Sequence, residues 1–173
     1  MLHFATHGFF LEDFAEETLA ELSKTKQSYF KNPMMRSGIF FSGANNNYYL
    51  NTTNISQLNE FEDGILTAYE AMNLDLDKTE LVVLSACQTG LGKVKNSEGV
   101  FGLQRAFKLA GARSIIMSLW SVSDDATMEL MVALYSKWII SGDLYTSFKV
   151  AQLEVKKKYP EPYYWGAFVL NGR

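Results

Sequence analysis

The stretch Leu81-Val82-Val83-Leu84-Ser85-Ala86-Cys87-Gln88-Thr89-Gly90 decides the fold of this chain. A continuous apolar run that ends in a polar, glycine-bearing turn is what a parallel strand covered on both faces requires. Toward the C-terminus, Ser97-Glu98-Gly99 opens a helix with Val100, Leu103, Phe107 and Leu109 turned inward, and Gly111 supplies its stop. Residues 114–119 read as the next strand. Ser123, with Asp124 and Asp125, starts a long helix that carries Leu130, Leu134 and Trp138 and ends near Gly142. A further helix spans residues 144–158 and is stopped by Pro160, and residues 165–170 form a closing strand. Toward the N-terminus, Thr67 caps a short helix reaching Asn73, and residues 38–42 read as a strand. Residues 44–47 signal a turn that Tyr48-Tyr49-Leu50 leaves as a returning strand. Residues 12–24 are acidic and weakly amphipathic, with Ala15, Leu19 and Leu22 at helical spacing. The chain opens on a short strand, residues 2–6, ending at His7-Gly8. Strands alternating with helices imply an α/β sandwich built on a mostly parallel sheet.

Bulk properties narrow the function classes. The chain has 173 residues, 47% of them hydrophobic and 14% aromatic, enough for one domain with a sizeable core. The net charge is −3, and the single basic run, Lys156-Lys157-Lys158, falls at a helix end where the macrodipole favours cations. Direct nucleic-acid binding is therefore not expected. No apolar stretch is long enough to span a bilayer. Met1-Leu2-His3-Phe4 has neither a basic start nor a cleavage site, so the expected location is the cytoplasm. One cysteine excludes an intrachain disulfide and leaves a thiol that is either inert in the core or reactive.

In an open parallel sheet, ligands bind beyond the carboxyl ends of the strands. Two segments put reactive groups there: Ala5-Thr6-His7-Gly8 and Ser85-Ala86-Cys87-Gln88. If their strands are neighbours, His7 and Cys87 emerge side by side, the minimal pair for nucleophilic acyl transfer. Gly8 lets the backbone approach a ligand closely, and its N–H with that of Cys87 forms a candidate oxyanion hole. Gly90 and Gly92 allow a sharp turn of the loop after the cysteine. The competing reading is an inert core thiol and a structural imidazole. His3 shares the face of His7, but one cysteine and two histidines make a poor tetrahedral site, so no metal is expected. Glu98 is best read as a helix cap, and Tyr163-Tyr164-Trp165 as core and strand edge.

Six stretches in order carry a resemblance. These are Leu2-His3-Phe4-Ala5-Thr6-His7-Gly8, the run from Leu81 through Gly92, Glu98-Gly99-Val100-Phe101-Gly102-Leu103, Ala110-Gly111-Ala112-Arg113-Ser114, Ser118-Leu119-Trp120-Ser121-Val122-Ser123-Asp124, and the terminal run from Tyr164 through Gly172. Together they resemble the CHAT domain, a caspase-like peptidase domain related to separase and the gingipains and often fused to TPR repeats. The resemblance implies a caspase-like three-layer αβα sandwich over residues 1–173, variable at about 12–59, with the family's first strands lying before Leu2. It implies a cysteine endopeptidase in which Cys87 is the nucleophile and His7 the general base and acid. It implies that the region of Trp120 and Asp124 shapes the substrate pocket, where an acid favours a Lys or Arg before the scissile bond. Asp124 is equally suited to its helix start, and Trp120 to a core wall. Protein or peptide substrates and TPR repeats are the implied partners, and no cofactor is needed. A dormant domain of the same fold, kept as an interaction scaffold, is the alternative.

Overall fold

The computed structural model describes residues 1–11, 24, 27, 31–44, 64–85, 87–88 and 98–172. The helix expected across 12–24, the returning strand at 48–50 and the loop glycines 90 and 92 lie outside the described residues. In chain order come strands β1 (Leu2–Phe4), β2 (His7–Phe10), β3 (Ser37–Phe40) and β4 (Ile65–Thr67), then helix α1 (Ala68–Ala71). Strands β5 (Leu81–Leu84) and β6 (Cys87–Gln88), helix α2 (Glu98–Leu109) and strand β7 (Ser114–Ser118) follow. Helices α3 (Asp124–Ser141), α4 (Leu144–Lys158) and α5 (Pro162–Trp165) lead to strand β8 (Phe168–Gly172).

The strands form two four-stranded sheets, ordered β1-β5-β7-β8 and β4-β3-β2-β6. In the first, β1, β5 and β7 are parallel and β8 closes antiparallel. All four residues of β5 are buried, as a strand covered on both faces must be. Their alternation divides the core. Val82 and Leu84, with Ile115 and Met117 of β7, pack against Leu103, Ala106 and Phe107 of α2. Leu81 and Val83, with Ile116, pack against Leu130 and Leu134 of α3 and Phe148, Ala151 and Val155 of α4. Helices therefore lie on both faces of a mostly parallel sheet, giving the three-layer α/β sandwich. Removing Leu134, fully buried, by an alanine substitution falls in the range of about 2–5 kcal/mol typical of such core deletions.

Local chemistry starts and stops these elements. Thr67 and Glu70 make a reciprocal capping box at α1. The Ser123 hydroxyl accepts from the Ala126 N–H at α3, and the Asp143 carboxylate accepts from the Thr146 N–H at α4. Gly111, at φ +104°, turns the chain from α2 toward β7, and a Cβ there would meet the Asp77 backbone N at 2.8 Å. Only glycine fits that turn without displacing Asp77.

Four expectations need correction. Leu109 is 64% exposed, because two residues beyond Phe107 is about 200° around a helix; Ala110 is the buried neighbour instead. Trp165 belongs to the helical turn α5, which Pro162 starts, so the closing strand begins only at Phe168. Leu119 lies beyond β7 and is partly exposed. His7-Gly8 does not end a strand. It begins β2, because Gly8, Phe9 and Phe10 pair with β3. Lys156 lies over the Trp165 ring and Lys158 pairs with Glu129, the expected company of a helix terminus.

Candidate active site

The rim of the sheet is built by one ladder that bends. In the first sheet Leu2 pairs with Val82, His3 with Val83 and Phe4 with Leu84. In the second, His7 pairs with Cys87 and Gly8 with Gln88, again parallel and at the same offset. The β1–β5 pair thus continues as the β2–β6 pair without a register shift. Two hydrogen bonds pin the bend. The Ser85 N–H donates to the Phe4 carbonyl at 3.1 Å, and the Thr6 hydroxyl donates to the Phe40 carbonyl of β3 at 2.5 Å.

Register partners in a ladder lie on the same face of the sheet. His7 is exposed and makes no side-chain hydrogen bond among the described residues. Gly8 is buried, with Ile39 of β3 on one side and Gln88 of β6 on the other. Asp124 and Asp125 are exposed in the first turn of α3, beyond the end of β7. Trp120 is 39% exposed, and its indole N–H donates to the Tyr163 carbonyl at 3.0 Å. That bond ties it to α5 rather than to the apolar core.

His3 takes a different path from the one its spacing suggests. Its Nε2 lies 3.0 Å from the Ser85 hydroxyl and its Nδ1 lies 2.8 Å from the Tyr135 hydroxyl of α3. The two rings meet edge to face at 5.8 Å. Burial lowers the His3 pKa below its ordinary value and pushes the Tyr135 hydroxyl up to about 12. Both nitrogens of His3 are occupied by hydroxyls, and among the described residues no three His, Cys, Asp or Glu groups converge on a point. Sequence reasoning missed Ser85 and Tyr135. The available signal was a polar pair, His3 within a short apolar strand and Ser85 directly after another.

Among the described residues no helix is long and apolar enough to cross a membrane. The chain is similar to tetratricopeptide repeat protein 28 of Homo sapiens, 34% identical over 122 residues, which is 68% of this chain and 5% of that protein. The protein of the same name from Mus musculus matches to the same extent. This chain thus corresponds to a small part of the curated relatives it matches. The family model of the CHAT domain matches residues 1–173. The caspase-like sandwich and this full-length match agree: the chain belongs to the CHAT domain family.

Proposed function

We propose that this domain is a cysteine endopeptidase in which His7 and Cys87 form the catalytic dyad. The observation that carries the reading is the register pairing of those two residues on adjacent parallel strands at the sheet rim. The Cys87 thiolate attacks the scissile carbonyl, and His7 takes the thiol proton and returns it to the leaving amine. Water then attacks the thioester, His7 receives its proton, and the carboxylic acid leaves while the thiol is restored. The oxyanion falls to the backbone N–H groups of Gly8 and Cys87. In a strand paired on both sides every N–H points at a neighbour, so Gly8 serves only when the short β2–β6 pair opens locally. Asp124, exposed beyond β7, is the acid that selects Lys or Arg before the scissile bond, with Trp120 as the pocket wall. Similarity to a tetratricopeptide repeat protein supports TPR repeats as the attached or partnering module that presents substrate.

The test is covalent labelling by an acyloxymethyl ketone peptide ending in Lys or Arg. Labelling of the parent that disappears in Cys87→Ala, and drops on the order of a hundredfold or more in His7→Ala, is the expected result. Labelling that persists without Cys87 sinks the dyad. A parent that never labels, with or without a TPR partner, returns the domain to the scaffold reading. Asp124→Ala is expected to weaken the preference for basic over neutral probes; an unchanged preference assigns that residue to the helix start alone.

A further inference from the structure

We propose that Tyr135, His3 and Ser85 form a positioning relay that holds the bend of the ladder so that Cys87 stays opposite His7. The inference rests on the dyad reading above and adds to it three residues that touch neither substrate nor the reacting atoms.

The relay has a defined direction. The Ser85 hydroxyl donates to the Phe4 carbonyl at 3.3 Å, which leaves its oxygen to accept from His3 Nε2–H at 3.0 Å. His3 Nδ1 is then the acceptor for the Tyr135 hydroxyl at 2.8 Å. The three side chains thus link in series from Tyr135 to the Phe4 carbonyl, with a neutral imidazole at the centre. A neutral His3 agrees with the lowering of its pKa by burial.

The position of the relay makes it more than a stabilising contact. Ser85 is the residue at which β5 has ended and β6 has not begun, two positions before Cys87. Phe4 is the last residue of β1, and His7 begins β2. Ser85 binds the Phe4 carbonyl through both its N–H and its hydroxyl, so it clamps the two strands at the one place where the ladder changes sheet. Among the described residues β6 spans two positions, Cys87 and Gln88, so the clamp at Ser85 lies directly upstream of the pairing it would hold. A slip of one residue moves a strand residue to the opposite face of its sheet. Tyr135 anchors the clamp in the middle of α3, a helix seated on the core by Leu130, Met131 and Leu134. The rim is thereby referenced to the rigid helical layer.

Cys87 is the sole cysteine, so its alkylation reports the site without any substrate. The rate of iodoacetamide modification of the full chain is measured from pH 5.5 to 9 by intact mass. In the parent, His7 gives a component below the ordinary thiol range, and His7→Ala leaves a single wave near the free-cysteine value of about 8.5. Tyr135→Phe and Ser85→Ala, with folding confirmed by circular dichroism, are expected to lower the rate at pH 6.5 about fivefold or more. Neither should add to the loss already present in His7→Ala, because a double-mutant cycle couples residues that act through one another. Ser85→Thr keeps the hydroxyl and is expected to retain the parent profile. Parent-like profiles for Tyr135→Phe and Ser85→Ala, alongside a shifted His7→Ala, overturn the relay and leave the dyad standing. A His7→Ala profile identical to the parent overturns the dyad, and the relay with it.

Discussion

His3 and His7 stand four residues apart on the same exposed face of one bent ladder, and their surroundings are opposite. Both ring nitrogens of His3 are held by hydroxyls, and its imidazole is partly desolvated. His7 is exposed, without a side-chain hydrogen bond among the described residues, and its register partner is a cysteine. Under the dyad reading, two identical side chains are thus divided between architecture and chemistry by what the third dimension brings to them. A satisfied imidazole is a strut. Under the dyad reading, an imidazole left open in this way is available to move protons.

The largest effect expected from this contrast lies in reactivity. His7→Ala should cut labelling of Cys87 by a basic peptide ketone roughly a hundredfold or more while the thermal midpoint moves by no more than a degree or so. A large fall in midpoint would put His7 with the struts. His3→Ala should do the reverse in stability, removing about 0.5–1.5 kcal/mol in urea unfolding, because the Ser85 and Tyr135 hydroxyls lose their shared partner. An unchanged urea midpoint would remove the distinction between the two residues.

The third test is the pH dependence of stability. Burial lowers the folded-state pKa of His3, so the unfolded chain takes up the proton first as pH falls. Stability should therefore decline as pH drops below the ordinary imidazole value of 6.5 and level off below the folded-state value. His3→Gln should flatten this part of the curve. Smallest of all is Asp124→Asn, expected to cost about 0.3–1 kcal/mol through the α3 dipole. A larger loss would show that this acid has a structural partner beyond its helix.

Much of the frame was legible because local chemistry dictates it. Leu81 to Leu84 are apolar without alternation, and only a strand covered on both faces accommodates that. Thr67, Ser123 and Gly111 announce their caps and stop in the residue types alone. Leu109 and Trp165 misled for one reason: each is apolar, and its place depends on angle around a helix or on the proline that begins a turn. At the site, the glycines and the two reactive residues pointed to the rim. The Tyr135 contact did not, since its partner lies 132 positions away and no spacing rule joins a mid-helix tyrosine to a strand histidine. Long-range polar pairs are fixed by packing after the layers assemble, so sequence periodicity is silent about them.

The unchanged offset along the bent ladder also bears on quality control. The same pairing that buries Leu81 through Leu84 sets His7 beside Cys87. A nascent or damaged chain that paired these strands one residue out would exchange the side chains meeting α2 for those meeting α3 and mispack both halves of the core. Under the dyad reading it would lose its nucleophile–base pair in the same event. On that reading, misassembled copies would be silent rather than indiscriminate.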